Sequence, residues 1–188
     1  MIIGNGANPT SGSNSVALGF TATGGGYGGK NNTAGGNGGS GIVILRYANT
    51  YVDAVTTGSP TITNTGGYKT YKFTGTGTFT FGAQPTTSVE ALIVAGGGGG
   101  SWGSGGSAQP GAGAGGLLYY GSESPKTPNG GAITVTPGEV LTVIVGAGGA
   151  GTPSGSFANA TAGSSTILKR GNTVLLVAVG GNGGISDS

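Results

Sequence analysis

The sequence predicts an all-β protein, a β-sandwich or jelly-roll-like fold with long glycine-rich, polyglycine-II-like loops and no significant helix. Three observations carry this. Glycine supplies 47 of 188 residues, where an average protein has roughly 7%. Only 6% of residues are charged, against roughly 25% in ordinary domains. The apolar residues gather in short runs, at 42–45, 91–95, 140–145 and 174–179. Disordered chains pair low hydrophobicity with high net charge. This one is 35% hydrophobic with a net charge of +2, so ordered strands joined by glycine-rich connections are expected.

Strands are expected at 41–47, 68–73, 78–81, 89–95, 132–136, 140–145, 165–168 and 173–179. Each is a short run rich in β-branched, aromatic or aliphatic residues bounded by Gly, Pro or Asn. Gly75 and Gly77 between the second and third suggest a hairpin. Pro137-Gly138 marks a turn between the fifth and sixth. No window has helical apolar spacing, and Gly interrupts every long segment at about 1 kcal/mol per residue relative to Ala in a helix.

The glycine tracts carry a pattern. Residues 24–41 read GGGYGGKNNTAGGNGGSG, with two of every three positions Gly over much of the run. A period of three suits an extended helix with three residues per turn. Collagen is excluded, because only 8 prolines are present and there is no strict Gly-X-Y repeat. Ordering each Gly costs roughly 0.5–1 kcal/mol relative to Ala. Ordered tracts therefore require close backbone packing and hydrogen bonds between tracts.

An internal repeat divides the chain. Ile3-Gly4-Asn5-Gly6 matches Val145-Gly146-Ala147-Gly148. Pro9 to Ser13 matches Thr152 to Ser156, and Gly25 to Gly29 matches Gly180 to Gly184. Residues 1–48 thus read as the C-terminal half of one unit and 49–61 as a linker. Residues 62–188 read as a second unit lacking its last strand. The missing strand corresponds to 41–47, which could close the second unit within one chain or in a neighbour by exchange.

Several function classes lose support. No Cys or His is present, so disulfides, zinc sites and Cys- or His-based catalysis are not expected. The five acids, Asp53, Glu90, Glu123, Glu139 and Asp187, are far apart in sequence and suggest neither a carboxylate dyad nor a metal cluster. The glycines following Ala95 match G-x-G-x-x-G, but no helical pattern follows, so no nucleotide cofactor is expected. Gly29-Lys30 is followed by Asn31, which fails the phosphate-loop pattern. The basic residues are scattered, whereas nucleic-acid binding needs a clustered basic face. No apolar run reaches the roughly 18–20 residues of a membrane span, and no standard secretion signal is visible at the N-terminus. Asn31-Asn32-Thr33 and Asn159-Ala160-Thr161 match the glycosylation sequon and are expected as chance matches in an Asn- and Thr-rich chain. The chain is expected to be no enzyme and to hold no metal or cofactor.

The order of strands and tracts carries a resemblance. Tyr71 to Thr74 and Gly77 to Thr80 precede Val89 to Ala95 and Gly96 to Gly100. Gly113 to Gly116 and Val143 to Gly151 follow, and Gly38 to Tyr47 closes the first unit. This series resembles the glycine-rich domain of bacteriophage tail-fibre and virion appendage proteins. The resemblance implies a structural virion protein of a fibre or appendage, contributing to host-surface attachment outside the cell. It implies other virion proteins, a host-surface glycan or an outer-membrane protein as partners, and a homo-oligomer, a trimer in a fibre. The alternatives are a capsid decoration or cement protein, and an ice-binding or matrix polyglycine-II protein. Candidate surface-binding residues are Trp102, Tyr119, Tyr120, Tyr27 and Phe157, aromatic rings in or beside the loops. The bland reading of these rings is that they cap glycine layers or fill the core.

Overall fold

The computed structural model describes residues 15–17, 20–22, 24–30, 32–83, 85–103, 111–122 and 129–186. Within these the chain is all-β, with no helix. Strands β1 (Ser15–Ala17) and β2 (Phe20–Ala22) pair with each other. A first antiparallel sheet has the order β10 (Ile133–Val135), β8 (Thr87–Val94), β3 (Ile42–Ala48), β6 (Tyr68–Phe73), β5 (Thr61–Thr65). In this sheet β9 (Leu117–Tyr120) also pairs with β8. A second has the order β13 (Thr173–Ala178), β12 (Thr166–Arg170), β11 (Val140–Ile144), β7 (Gly77–Thr80), β4 (Val55–Thr56).

The two sheets enclose one main core. Val43, Leu45, Tyr47, Tyr71, Phe73, Ala91 and Ile93 face it from the first sheet. Phe79, Leu141, Val143, Leu168, Leu176 and Ala178 face it from the second. A smaller cluster of Ile42, Ile44, Leu92, Val94 and Tyr119 lies on the other face of the first sheet. This explains why β3 and β8 read as unbroken apolar runs. Strands buried on both faces do not alternate. The Tyr47 hydroxyl donates to Val52 O at 2.9 Å and accepts from Ala54 N at 2.9 Å. Burial pushes that hydroxyl's pKa well above its ordinary value. Residues 49–61, read as linker, are thus fastened to the core and supply β4.

One expectation is corrected. The residues read as a hairpin across Gly75 and Gly77 fall in different sheets: β6 pairs with β3 and β5, and β7 pairs with β11 and β4. Tyr71 and Phe79 both point into the core, 5.2 Å apart edge to face, so the chain crosses between layers there. Pro137-Gly138 does form a turn, closed by Glu139 N to Thr136 O at 3.1 Å with Gly138 at φ 74°. It too passes from the first sheet to the second.

Residues 41–47, the strand read as missing from the second unit, sit within the same chain between β6 and β8. The repeat segments before residue 15 lie outside the described residues. Gly25 to Gly29 and Gly180 to Gly184 are both described, and both join a bundle of glycine tracts.

Beyond the sheets the strands run on as extended tracts. Segment 95–103, continuing β8, is buried throughout. Among the described residues it bonds to six neighbouring tracts: 24–30, 33–41, 146–152, 160–165, 179–185 and 111–116. Bonding directions rotate with a period of three. Gly96 and Gly99 donate to Ser164 and Thr161, Gly97 and Gly100 donate to Gly39 and Gly36, and Gly98 donates to Gly113. The carbonyls of the same tract accept in the same rotation. Those of Gly96 and Gly99 take Gly181 and Gly184, those of Gly97 and Gly100 take Gly149 and Thr152, and those of Gly98 and Ser101 take Gly26 and Gly29.

The six neighbours also bond to one another in a closed ring, in the order given above. The pairings show that they run alternately parallel and antiparallel to the centre. This is polyglycine-II-like packing, three residues per turn, with one strand surrounded by six.

Glycine is required here by close approach. None of Gly96 to Gly100 has positive φ. A Cβ on Gly96, Gly98, Gly99 or Gly100 would overlap the carbonyl of Ala147, Asn182, Ala150 or Tyr27. In three tracts of the ring every third position faces solvent and takes a side chain. Ala34, Asn37 and Ser40 are exposed, as are Ala147, Ala150 and Pro153, and Val179, Asn182 and Ile185.

Candidate functional site

The tracts carry the chain away from the sandwich and turn at the far end of the bundle. That end is formed by residues 30, 32–33, 102–103, 153–159 and 185–186. Local hydrogen bonds shape it. Lys30 N donates to Thr33 Oγ1 at 3.0 Å, Thr33 Oγ1 donates to Lys30 O at 2.6 Å, and Asn32 N donates to Gly103 O at 2.9 Å. Ser156 N donates to Pro153 O at 3.3 Å, and Ser186 N donates to Asn159 Oδ1 at 2.9 Å.

The structure separates the five candidate rings. Trp102 and Phe157 meet at the distal end, edge to face with centroids 5.0 Å apart. Trp102 is 7% exposed, and among the described residues its indole Nε1 has no hydrogen-bond partner, while Phe157 is 62% exposed. Trp102 N donates to Thr152 Oγ1, which fastens the end of the central tract, and the buried indole caps it. Tyr27 lies on the flank of the bundle, over Gly36. Tyr119 is buried between strands in the smaller cluster, so its ring does not reach the surface. Tyr120 packs partly buried against the main core.

Ile185, which the ring search passed over, is 63% exposed beside this end. Its carbonyl accepts from Ser101 Oγ at 3.4 Å. The signal for it was present: Ile185 occupies the third place after Gly183-Gly184, which is outward in every clear tract. The distal end thus offers exposed apolar groups rimmed by Asn32, Thr33, Ser156, Asn159 and Ser186. Among the described residues Lys30 is its one ionisable side chain. Such a surface suits ring stacking and neutral hydrogen bonding.

The described acids, Asp53, Glu90 and Glu139, serve elsewhere. Among the described residues no cluster of His, Cys, Asp or Glu could hold a metal, and no helix is long and apolar enough to cross a membrane. Asp53 pairs with Lys69, Glu139 with Arg170, and Glu90 with Arg46. Glu90 faces Arg46 across β8 and β3, with Nε to Oε2 at 2.6 Å, and its Oε1 accepts from Ser122 N and Oγ at 3.1 Å each. The Arg46 guanidinium lies 4.4 Å from the Tyr68 ring centroid. Burial pushes the Glu90 carboxyl up, but the Ser122 N–H and the Arg46 guanidinium outweigh it and hold the carboxyl below its usual range. The cavity of about 260 Å³ at this pair also includes Tyr47, Tyr51, Ser88 and Ala132.

A carboxylate with a lowered folded pKa contributes stability above its unfolded pKa, roughly 4.3 for Glu. That stability is lost as pH falls through the lower folded value. Glu90→Gln is therefore expected to destabilise the chain by about 2 kcal/mol at neutral pH. The difference from wild type should start to shrink as pH falls below about 4.3 and disappear only once pH is below the lower folded value. Urea unfolding across pH checks this, and a constant difference at all pH would contradict it.

In comparison with known proteins, residues 73–188, more than half the chain, match the model of a family described as the glycine-rich domain. No curated protein and no solved structure matches the chain. The match begins at Phe73, so β3 and the tracts 24–30 and 33–41 come from outside it.

Proposed function

We propose that this chain, which belongs to the glycine-rich domain family, is a structural module of a phage fibre or related virion appendage. Its distal end contributes to attachment at the host surface. The observation that supports this most is the bundle itself. One buried tract ringed by six others carries the Phe157 and Ile185 side chains on turns whose main chain is already bonded. Preorganised turns lose little freedom on binding. The partners are other virion proteins at one side and a host glycan or outer-membrane protein at the other. Lys30 is the one ionisable side chain among the described residues of this end, so binding depends weakly on salt.

Phe157→Ala is the appropriate probe, because the ring is 62% exposed and its removal leaves the core intact. Trp102→Ala instead removes a buried cap and is expected to cost about 3 kcal/mol of stability. Phe157→Ala should cut adsorption to host cells at least tenfold while costing only about 1 kcal/mol of stability through the lost edge contact with Trp102. Unchanged adsorption, or a steep loss of wild-type binding at raised salt, would contradict the reading.

A second reading, an ice-binding or matrix polyglycine-II protein, draws on one specific observation. The outward rows Ala34–Asn37–Ser40 and Ala147–Ala150–Pro153 repeat about every 9.3 Å, the regularity a lattice-matching surface needs. Thermal hysteresis in solution would favour that reading over attachment.

A further inference from the structure

Strand β5 ends the first sheet, and among the described residues none covers it. All five of its residues are exposed, and it pairs with β6 alone. Gly66 and Gly67, at φ 58° and 81°, make the two-residue turn in which both central residues need positive φ. The closing pair Thr65–Tyr68 of such a turn is hydrogen-bonded, and bonded pairs alternate along the ladder. Thr61, Thr63 and Thr65 therefore bond β6. Ile62 and Asn64 direct their N–H and C=O groups outward.

Edges are usually blunted by a charge, a proline, a bulge or a cover. The segment Thr61-Ile62-Thr63-Asn64-Thr65 has neither charge nor proline, and its register with β6 is unbroken. Other edges of the molecule are protected: β4 is two residues long, and a register shift interrupts the pairing of β12 and β13. Exposed apolar groups flank the open edge. Val52 is 54% exposed, Val55 69% and Ile62 53%. Ile62 stands opposite core-facing Tyr71, so it points to the side of the sheet where β4 and Val55 lie.

We propose that β5 pairs antiparallel with β5 of a second copy, about a two-fold axis through Thr63. The outward groups fall at Ile62 and Asn64, symmetric about Thr63. Placing Ile62 opposite Asn64 of the second copy makes both of these pairs fully bonded. A two-fold contact needs such self-complementarity. Thr61-Ile62-Thr63-Asn64-Thr65 carries no charge that would repel its own copy across the axis, so a second copy fits the edge. Thr63 then faces its own copy in a non-bonded pair, roughly 4.5 Å between Cα atoms. The Ile62 side chains approach diagonally and shelter Val55. The contact is small, so it forms reversibly. The inference stands apart from the attachment reading.

Native mass of the full chain over a concentration series tests it. The wild type should rise towards twice the chain mass. Ile62→Pro removes an N–H that β6 does not use, and proline is tolerated at such an edge position. It should remain monomeric with an unchanged circular dichroism spectrum. Thr63→Lys and Thr63→Glu should each be monomeric, since like charges oppose one another across the axis. Mixing those two should restore a one-to-one dimer. A wild type that stays monomeric, a trimer, or a dimer that persists in Thr63→Lys overturns the proposal. Should Ile62→Pro fail to fold, the Thr63 pair decides alone.

Discussion

Gly100→Ala is expected to destabilise the protein by about 3 kcal/mol or more, since among the described glycines an added Cβ would meet its neighbour most closely here. The added Cβ would overlap the carbonyl of Tyr27, and Gly28 N lies close behind it. Both belong to main chain in a neighbouring tract, so no side chain can swing aside. Separating the two tracts would also break the bonds from Gly26 N to Gly98 O and from Gly29 N to Ser101 O. The contrast is Asn182→Ala, at an exposed outward position flanked by glycines, which should stay within about 0.5 kcal/mol of wild type. Denaturant unfolding of the two variants measures both. Equal effects would mean that the tracts do not pack by close backbone approach.

Removing residues 24–48 should abolish folding altogether. That segment supplies β3, the strand between β6 and β8, whose Val43, Leu45 and Tyr47 are buried. It also supplies two of the six tracts around the centre. Each buried side chain of this size contributes roughly 1.5–3 kcal/mol, and a domain's whole margin is about 5–15 kcal/mol. A fragment of residues 49–188 should show no cooperative unfolding, and a synthetic peptide of residues 24–48 should restore it. A folded, monomeric fragment without the peptide would show that the glycine-rich match of residues 73–188 closes on itself.

The strands were legible wherever burial leaves a mark on residue type. Ile42-Val43-Ile44-Leu45 and Ala91-Leu92-Ile93-Val94 stood out because both faces of β3 and β8 are covered. Strand β5 left no such mark, since Thr61-Ile62-Thr63-Asn64-Thr65 is exposed on both faces. Strand β9 was hidden because Leu117-Leu118 follows directly on a glycine tract. Sheet membership was not legible at Gly75 and Gly77, because a short glycine link can close a hairpin or cross between layers equally well.

The period of three was readable in the tracts, and its physical meaning is that two positions in three meet a neighbour. The identity of the hub was also written there. Gly96 to Gly100 run without an intervening side chain, as a tract with no outward face must. At the distal end, ring type alone did not separate Tyr119, buried beside Ile44 and Leu92, from Phe157. Exposure depends on pairing partners far away in sequence. The Arg46–Glu90–Ser122 group was unreadable for the same reason, its members brought together only by the register of β3 on β8.

The ordered bundle is the claim on which the rest stands, and amide hydrogen exchange at Gly96 to Gly100 tests it most directly. These N–H groups bond to Ser164, Gly39, Gly113, Thr161 and Gly36 with no route to water short of opening the bundle. They should exchange as slowly as Leu45 and Ile93 in the core strands, through global unfolding. Exchange at the rate of an unstructured chain would contradict the packing and reduce the glycine tracts to linkers.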